Sequence, residues 1–180
     1  FKFGTDAVLL SDFASEIHSE SILDLCTGTG IVALLLSAKT NAERICAIEI
    51  QEDIAGMAQR SVEMNGLDKR IFIKCADLKT CVSDYGKRSF GLVTCNPPYM
   101  RAGAGVPNES DSKLVSRHEV MCTLEDVIRT ASGLVSVSGH FAMVHRPSRL
   151  CDAMYLMRKY EIEPKRLRFV HKNAKEAPIL

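Results

Sequence analysis

Asn96-Pro97-Pro98-Tyr99 follows a short apolar run, and its residue types suit one kind of chemistry. Proline fixes its own φ and confines the residue before it to extended backbone, so Asn96-Pro97 makes a stiff corner. The Asn96 side-chain oxygen and the Pro97 main-chain carbonyl are two acceptors that such a corner can aim at both N–H bonds of a flat amine. An exocyclic amino group on adenine is a poor nucleophile, because its lone pair is delocalised into the ring. Acceptors on its hydrogens localise that pair and align the nitrogen with a methyl sulfonium. Tyr99 is placed to stack on the base, a contact worth ~1–3 kcal/mol where aromatic side chains meet bases. No strong base is required, since the methylated amine is itself acidic; alignment and electrostatics supply the acceleration. The bland alternative for these four residues is a proline-rich turn that closes a strand.

A second constellation lies upstream. In Leu23-Asp24-Leu25-Cys26-Thr27-Gly28-Thr29-Gly30, two glycines stand where a buried strand must turn into a helix. Glycine there permits the backbone angles and lets a ligand approach the main chain. Gly28-x-Gly30-x-x-Ala33 followed by Glu49 formally matches the dinucleotide fingerprint, in which the helix N-terminus faces a pyrophosphate. Asp24 would repel that pyrophosphate. It suits the ammonium and sulfonium of S-adenosylmethionine. Glu49 can accept from ribose hydroxyls of either ligand. Asp77 can accept from the cofactor's adenine amino group, with Ile50 or Leu78 packed on the ring. Each acid alone reads equally as a solvated strand-end carboxylate, but three at successive strand ends favour S-adenosylmethionine over a nicotinamide dinucleotide.

The elements that must position these residues follow from periodicity and breakers. Helical spacing of Ala7, Val8, Leu10, Ala14 and Ile17 predicts a helix over 5–18, with Thr5 as its N-cap. Strands are expected at 21–26, 44–50, 71–76, 90–95, 139–145 and 165–171. Helices are expected at 31–39, 51–65, 123–137 and 147–160, the third opened by a capping box at Thr123-Leu124-Glu125-Asp126. Residues 100–117 read as a long loop, a natural lid for a base that must swing out of its stack. Alternating strands and helices predict an α/β fold of Rossmann-like type, a mostly parallel central sheet with helices on both faces and its site at the carboxyl ends of the strands. Residues 1–180 read as a single domain. Phe at position 1 and the strand-like Ala177-Pro178-Ile179-Leu180 suggest an absent N-terminal portion and an absent edge strand.

The totals exclude some classes. A chain of 180 residues, 46% hydrophobic and 25% charged, fits one soluble domain with an ordinary core. A net charge of +1 excludes a globally basic nucleic-acid binder, so RNA affinity needs a local patch. No apolar run reaches the roughly 18 residues of a membrane span and no secretory signal opens the chain. Seven scattered cysteines fit reduced thiols in a cytoplasmic protein. His118 and Cys122 could share a helical face, but two ligands make no metal site. No obligate protein partner is evident. Between Arg158 and Lys175, basic side chains that include Lys165, Arg166, Arg168 and Lys172 outnumber two acids, the footprint expected for phosphate contacts. Arg117, His118 and Arg146 stand nearer the expected site. An ordinary solvated face, or pairing with Glu119 or Asp126, accounts for these charges as well.

The loop DLCTGTG, the acids Glu49 and Asp77, and NPPY resemble the class I amino-methyltransferases. FKFGTDAVLLSDF, SRHEVMCTLEDVIR, FAMVHRPSRL and EPKRLRFVHKNAKEAP resemble more narrowly the bacterial tRNA adenine-N6 methyltransferases that modify valine tRNA at position 37, beside the anticodon; the resemblance covers nearly the whole chain. It implies cofactor contacts at Asp24, Thr27, Gly28, Gly30, Glu49 and Asp77, and a catalytic motif at Asn96, Pro97, Pro98 and Tyr99, with Asn96 also beside the cofactor. It further implies that Thr5 and Asp6 close over the cofactor's methionine end. Cys26 departs from the relatives' usual glycine and would contribute main chain only. Protein-glutamine methyltransferases that act on release factors share the four-residue motif but normally carry a helical domain before this core. A non-catalytic RNA-binding relative is the remaining alternative, and the intact motif and acids count against it.

Overall fold

The structure, a computed structural model, describes residues 4–98 and 122–180. Its helices and strands in chain order are α1 (Thr5–Ser15), β1 (Ser21–Leu25), α2 (Ile31–Lys39), β2 (Arg44–Glu49), α3 (Glu52–Met64), β3 (Ile71–Cys75), α4 (Cys81–Tyr85), β4 (Phe90–Cys95), α5 (Leu124–Leu134), β5 (Val135–Met143) and α6 (Leu150–Lys159). Single 3-10 turns stand at Leu78–Thr80 and Pro147–Arg149. The described strands form one sheet in the order β3-β2-β1-β4-β5, every pair parallel.

That order creates the site. Successive strands build outward from β1 to β3, and the chain then returns to the other side of β1 to lay down β4. Connections leave β1 and β4 in opposite directions, which opens a crevice at their carboxyl ends. Register levels the tips, with Leu25 paired to Ile48 on one side and to Cys95 on the other. Cys26, Glu49 and Asn96 therefore leave the sheet side by side.

Burial holds those tips in place. Side chains alternate across the central strands: Ile22, Ile45 and Leu92 pack beneath Leu10, Leu36 and Val62 of α1, α2 and α3. Leu23, Ile48 and Val93 pack on the other face, against Cys81, Val127 and Leu134 of α4 and α5. Each such aliphatic side chain contributes ~1.5–3 kcal/mol when fully buried, so the strand tips are the least movable part of the crevice. Arg70 adds a polar tie: its guanidinium donates to the carbonyls of Ala42, Ser37 and Thr40 at 2.6, 2.7 and 2.6 Å, which satisfies groups left open by the end of α2 and by the turn after it.

Three expectations are corrected, and one helix is added. Thr5 is the first helical residue, and Gly4 occupies the N-cap with extended backbone. Residues 135–137 belong to β5, not to the preceding helix. Leu134-Val135-x-Val137 suits either period, and the strand starts at once, then bulges between Phe90 and Leu92 of its neighbour with Ser138 at φ 68°. Residues 165–171 form no strand, although Val170 exchanges backbone hydrogen bonds with Ile179 and Leu180. The short helix α4 has no sequence periodicity to reveal it and was not expected. Other boundaries differ by a few residues, as helix and strand ends do. Among the described residues no helix is long and apolar enough to cross a membrane.

Candidate active site

The connections after β1, β2, β3 and β4 meet in a cleft of about 330 Å³, closed on one side by the start of α1. Ten residues singled out from the sequence line it: Asp6, Cys26, Thr27, Gly28, Glu49, Ile50, Asp77, Leu78, Asn96 and Pro98. Asp24, Gly30 and Pro97 are buried and are not among the lining residues, and Thr5 is exposed at the start of α1. Tyr99, Arg117, His118 and the expected lid lie outside the described residues. Gly4, Thr29, Ile31, Val32 and Cys122 also line the cleft and were not anticipated. Thr29 and Ile31 flank the glycines and could have been inferred from that alone. Cys122 arrives through the tertiary fold, its Sγ 4.0 Å from that of Cys26.

The two glycines serve different ends. Gly28 has φ 57°, and a Cβ there would meet nothing within 4 Å, so it opens into the cleft. Gly30, at φ 83°, would bring a Cβ to 3.2 Å from the Ala58 side chain, so its absence lets α2 and α3 pack closely. Cys26 adopts φ 55°, a left-handed conformation that ordinarily costs a non-glycine residue about 1–2 kcal/mol. The loop is pinned to β2: the Thr27 N–H donates to the Ile48 carbonyl at 2.9 Å and the Gly28 N–H to Glu49 Oε2 at 3.0 Å. Glu49 Oε1 accepts from the Gln51 N–H at 3.0 Å, and the carboxylate is buried. Asp77 accepts from the Lys79 N–H at 2.9 Å, capping the 3-10 turn, and its Oδ2 lies 3.3 Å from Lys79 Nζ.

Asp24 is 1% exposed and accepts from the Thr94 hydroxyl through Oδ1 at 2.6 Å. Its Oδ2 and the Thr27 hydroxyl have no partner among the described residues. Burial pushes the Asp24 carboxyl up to about 6; the Thr27 and Thr94 hydroxyls oppose the rise, although only Thr94 has hydrogen-bonding geometry. An unfolded aspartate titrates near 3.8, so between the two values the folded protein keeps a proton that the unfolded chain has released. The contribution of Asp24 to the stability of the ligand-free protein therefore falls as pH rises from about 4 to about 6. The full effect is about 2–3 kcal/mol at about 1.36 kcal/mol per pH unit. Asp24→Asn abolishes it: in urea unfolding from about pH 4 to 7, the variant gains on the wild type through that window and then levels. A difference that does not change with pH would exclude this titration.

The expected basic residues gather elsewhere. Arg146, Lys165, Arg166 and Arg168 line a second cleft, of about 910 Å³, along β5, the edge strand among the described residues. Arg166 pairs with Glu16 at 2.9 Å, and Arg168 lies 3.6 Å from both Asp12 and Glu16. Both guanidinium groups sit over the Phe13 ring, at 4.4 and 5.2 Å from its centroid. These two arginines thus bind the C-terminal segment to α1, a role that a charge count could not disclose. Lys172 is exposed and lines neither cleft. Among the described residues no cluster of three His, Cys, Asp or Glu could hold a metal ion.

Residues 3–154 match the family described as the methyltransferase small domain. A curated relative from Porphyromonas gingivalis, tRNA1(Val) (adenine(37)-N6)-methyltransferase, is 32% identical over 172 residues, covering 92% of this chain and 67% of the relative. The protein of that name from Christiangramia forsetii is 30% identical over 99% of this chain and 74% of its own length. Among solved structures, a predicted O-methyltransferase from Agrobacterium tumefaciens aligns over 84% of this chain and 66% of its own with a TM-score of 0.64 at 23% identity. The ribosomal protein L11 methylase from Lactobacillus delbrueckii subsp. bulgaricus aligns over 88% of this chain and 70% of its own with a TM-score of 0.61 at 18% identity.

Proposed function

The chain belongs to the methyltransferase small-domain family, and from that premise we propose that it methylates the N6 amino group of an adenine in tRNA, at position 37 of valine tRNA. The observation that carries the proposal is the position of Asn96. It stands at the tip of β4, at the topological switch point, in the same cleft as the glycine loop and the acids of β2 and β3. The names of the relatives from Porphyromonas gingivalis and Christiangramia forsetii support the same substrate.

The residues present fit S-adenosylmethionine. Asp24 Oδ2 and the Thr27 hydroxyl are buried polar atoms in want of a partner, and an ammonium group is the donor that a carboxylate oxygen favours most. The open space over Gly28 admits a ligand against the main chain. Glu49 uses one lone pair on each oxygen for the loop, which leaves acceptor capacity for ribose hydroxyls. Asp77 at the rim accepts from the adenine amino group, with Ile50 and Leu78 as the apolar walls. When bound, the cofactor supplies an electrophilic methyl group on a sulfonium.

The protein's part is to place the nucleophile. Asn96 Oδ1 and the Pro97 carbonyl accept the two hydrogens of the amine and draw its lone pair out of the ring. Positive charge then develops on nitrogen beside two fixed acceptors, which cost no reorganisation as the bond forms. Tyr99 stacks on the base. Arg117, His118, Arg146, Lys165 and Lys172 supply phosphate contacts, whereas Arg166 and Arg168 reach RNA only from within their pairs with α1. Incubation with methyl-labelled cofactor and either total tRNA or a release factor tests the reading. Label is expected in tRNA, recovered as N6-methyladenosine after digestion, and uptake falls steeply with salt as counterion release requires. Label in the release factor alone overturns it.

A further inference from the structure

The start of α1 holds a charge whose partner is the catalytic corner. Asn96 Nδ2 donates to Asp6 Oδ2 at 3.2 Å, a contact between residues 90 apart in sequence. Asp6 Oδ1 accepts from the Ala7 N–H at 2.9 Å, so the carboxylate is tethered at its own end. Gly4 makes room for this arrangement. A Cβ at position 4 would overlap the Asp6 carboxylate, although the backbone there (φ −80°, ψ 159°) is one any residue adopts. Gly4, Asp6 and Asn96 all line the cleft.

We propose that Asp6, seated by Gly4, is a positioning residue that fixes which end of the Asn96 amide faces the substrate amine. The inference rests on the amine-methylating role given above. The two ends of a carboxamide are nearly the same size, and rotation by half a turn exchanges an acceptor for a donor. With N–H groups turned toward the substrate amine, donor would meet donor and the nucleophile would be lost. A carboxylate can only accept, so Asp6 admits Nδ2 and rejects Oδ1. Oδ1 is thereby kept on the branch of the amide away from Asp6. Donation from Nδ2 to an anion also makes Oδ1 a stronger acceptor, since linked hydrogen bonds polarise one another.

Asp6→Ala and Gly4→Ala test the idea by separate means, one removing the carboxylate and the other displacing it with its charge intact. Both are expected to lower kcat at saturating cofactor on the order of 10- to 100-fold, the loss of one charge-assisted hydrogen bond, with KM for tRNA changed little. Asp6→Asn keeps an acceptor and is expected to recover part of the rate. In an Asn96→Ala background, Asp6→Ala should have no further effect, because a residue that acts through Asn96 has nothing left to orient. The contact is also read without turnover. In ligand-free, 15N-labelled protein, the Asn96 side-chain amide resonance moves toward that of solvent-exposed amides in both Asp6→Ala and Gly4→Ala. An unmoved resonance overturns the proposal, as does an equal loss of rate in the Asn96→Ala background, or a defect confined to cofactor affinity. If the resonance moves in both variants but wild-type protein labels no tRNA, the substrate reading is defeated and the Asp6–Asn96 orientation stands.

Discussion

Replacing Asn96 with Ala is expected to lower kcat for methyl transfer by ~10²–10³, the usual cost of removing one preorganised group from a site of developing charge. The magnitude follows from what is lost and what stays. The variant keeps the Pro97 carbonyl, the glycine loop and the acids, so binding persists while the amine is held by one acceptor instead of two. Cofactor affinity should change by no more than about threefold, because Asn96 reaches the cleft from β4 while the loop is pinned to β2 by Thr27 and Gly28. Single-turnover label transfer gives the rate, and equilibrium titration of the cofactor gives the affinity. A variant that methylates at the wild-type rate would remove Asn96 from the chemistry and leave a binding fold without its proposed reaction. A variant that instead loses the cofactor would make Asn96 a wall of the binding site and no more.

The strands that carry the site were readable because each is a buried apolar run ended by a residue that cannot continue it. Arg44 to Glu49 is buried at every position after the first, the pattern of a parallel strand covered on both faces. Once those strands were placed, the rule that sites gather at their carboxyl ends located Asp24, Glu49, Asp77 and Asn96 together. What sequence could not show is which of these groups already have partners. Glu49 reads as a ligand for ribose, yet it is also the anchor of the loop, a role set by Gly28 lying across the β1–β2 tips. Asp6 has no local sign of its contact, since Asn96 comes to it only when α1 folds over the sheet. The charges of the C-terminal segment show the same limit: a run of arginines records charge, not partner, and two of them stack on Phe13. The alternation at 165–171 has the period of a strand, but pairing requires a neighbour, and Leu167 and Phe169 remain half exposed.

Glu49→Gln carries the second large expectation, a loss of cofactor affinity on the order of 10²-fold or more together with a loss of about 2–3 kcal/mol in folding stability. The wild-type carboxylate accepts two charge-assisted bonds while 4% exposed, one from the Gly28 N–H of the loop that lines the cleft and one from the Gln51 N–H at the start of α3. Glutamine has one oxygen and one NH2, so whichever way it turns, one of those N–H groups meets a donor. The lost loop contact is a buried unsatisfied group, which accounts for the stability term. The affinity term has two sources: ribose loses an anionic acceptor, and the strand-to-helix turn at Gly28 loses its tie to β2. Thermal unfolding with and without cofactor separates them, because a ligand that binds only the folded state raises stability by an amount set by its concentration over its dissociation constant. If the variant is less stable but gains as much from saturating cofactor as the wild type does, Glu49 is a structural clamp and ribose recognition lies elsewhere. If stability falls and the cofactor-dependent gain disappears, the one carboxylate both shapes the loop and reads the ligand, and the energetic coupling between the two is the reason the β2 tip must end in an acid at that position.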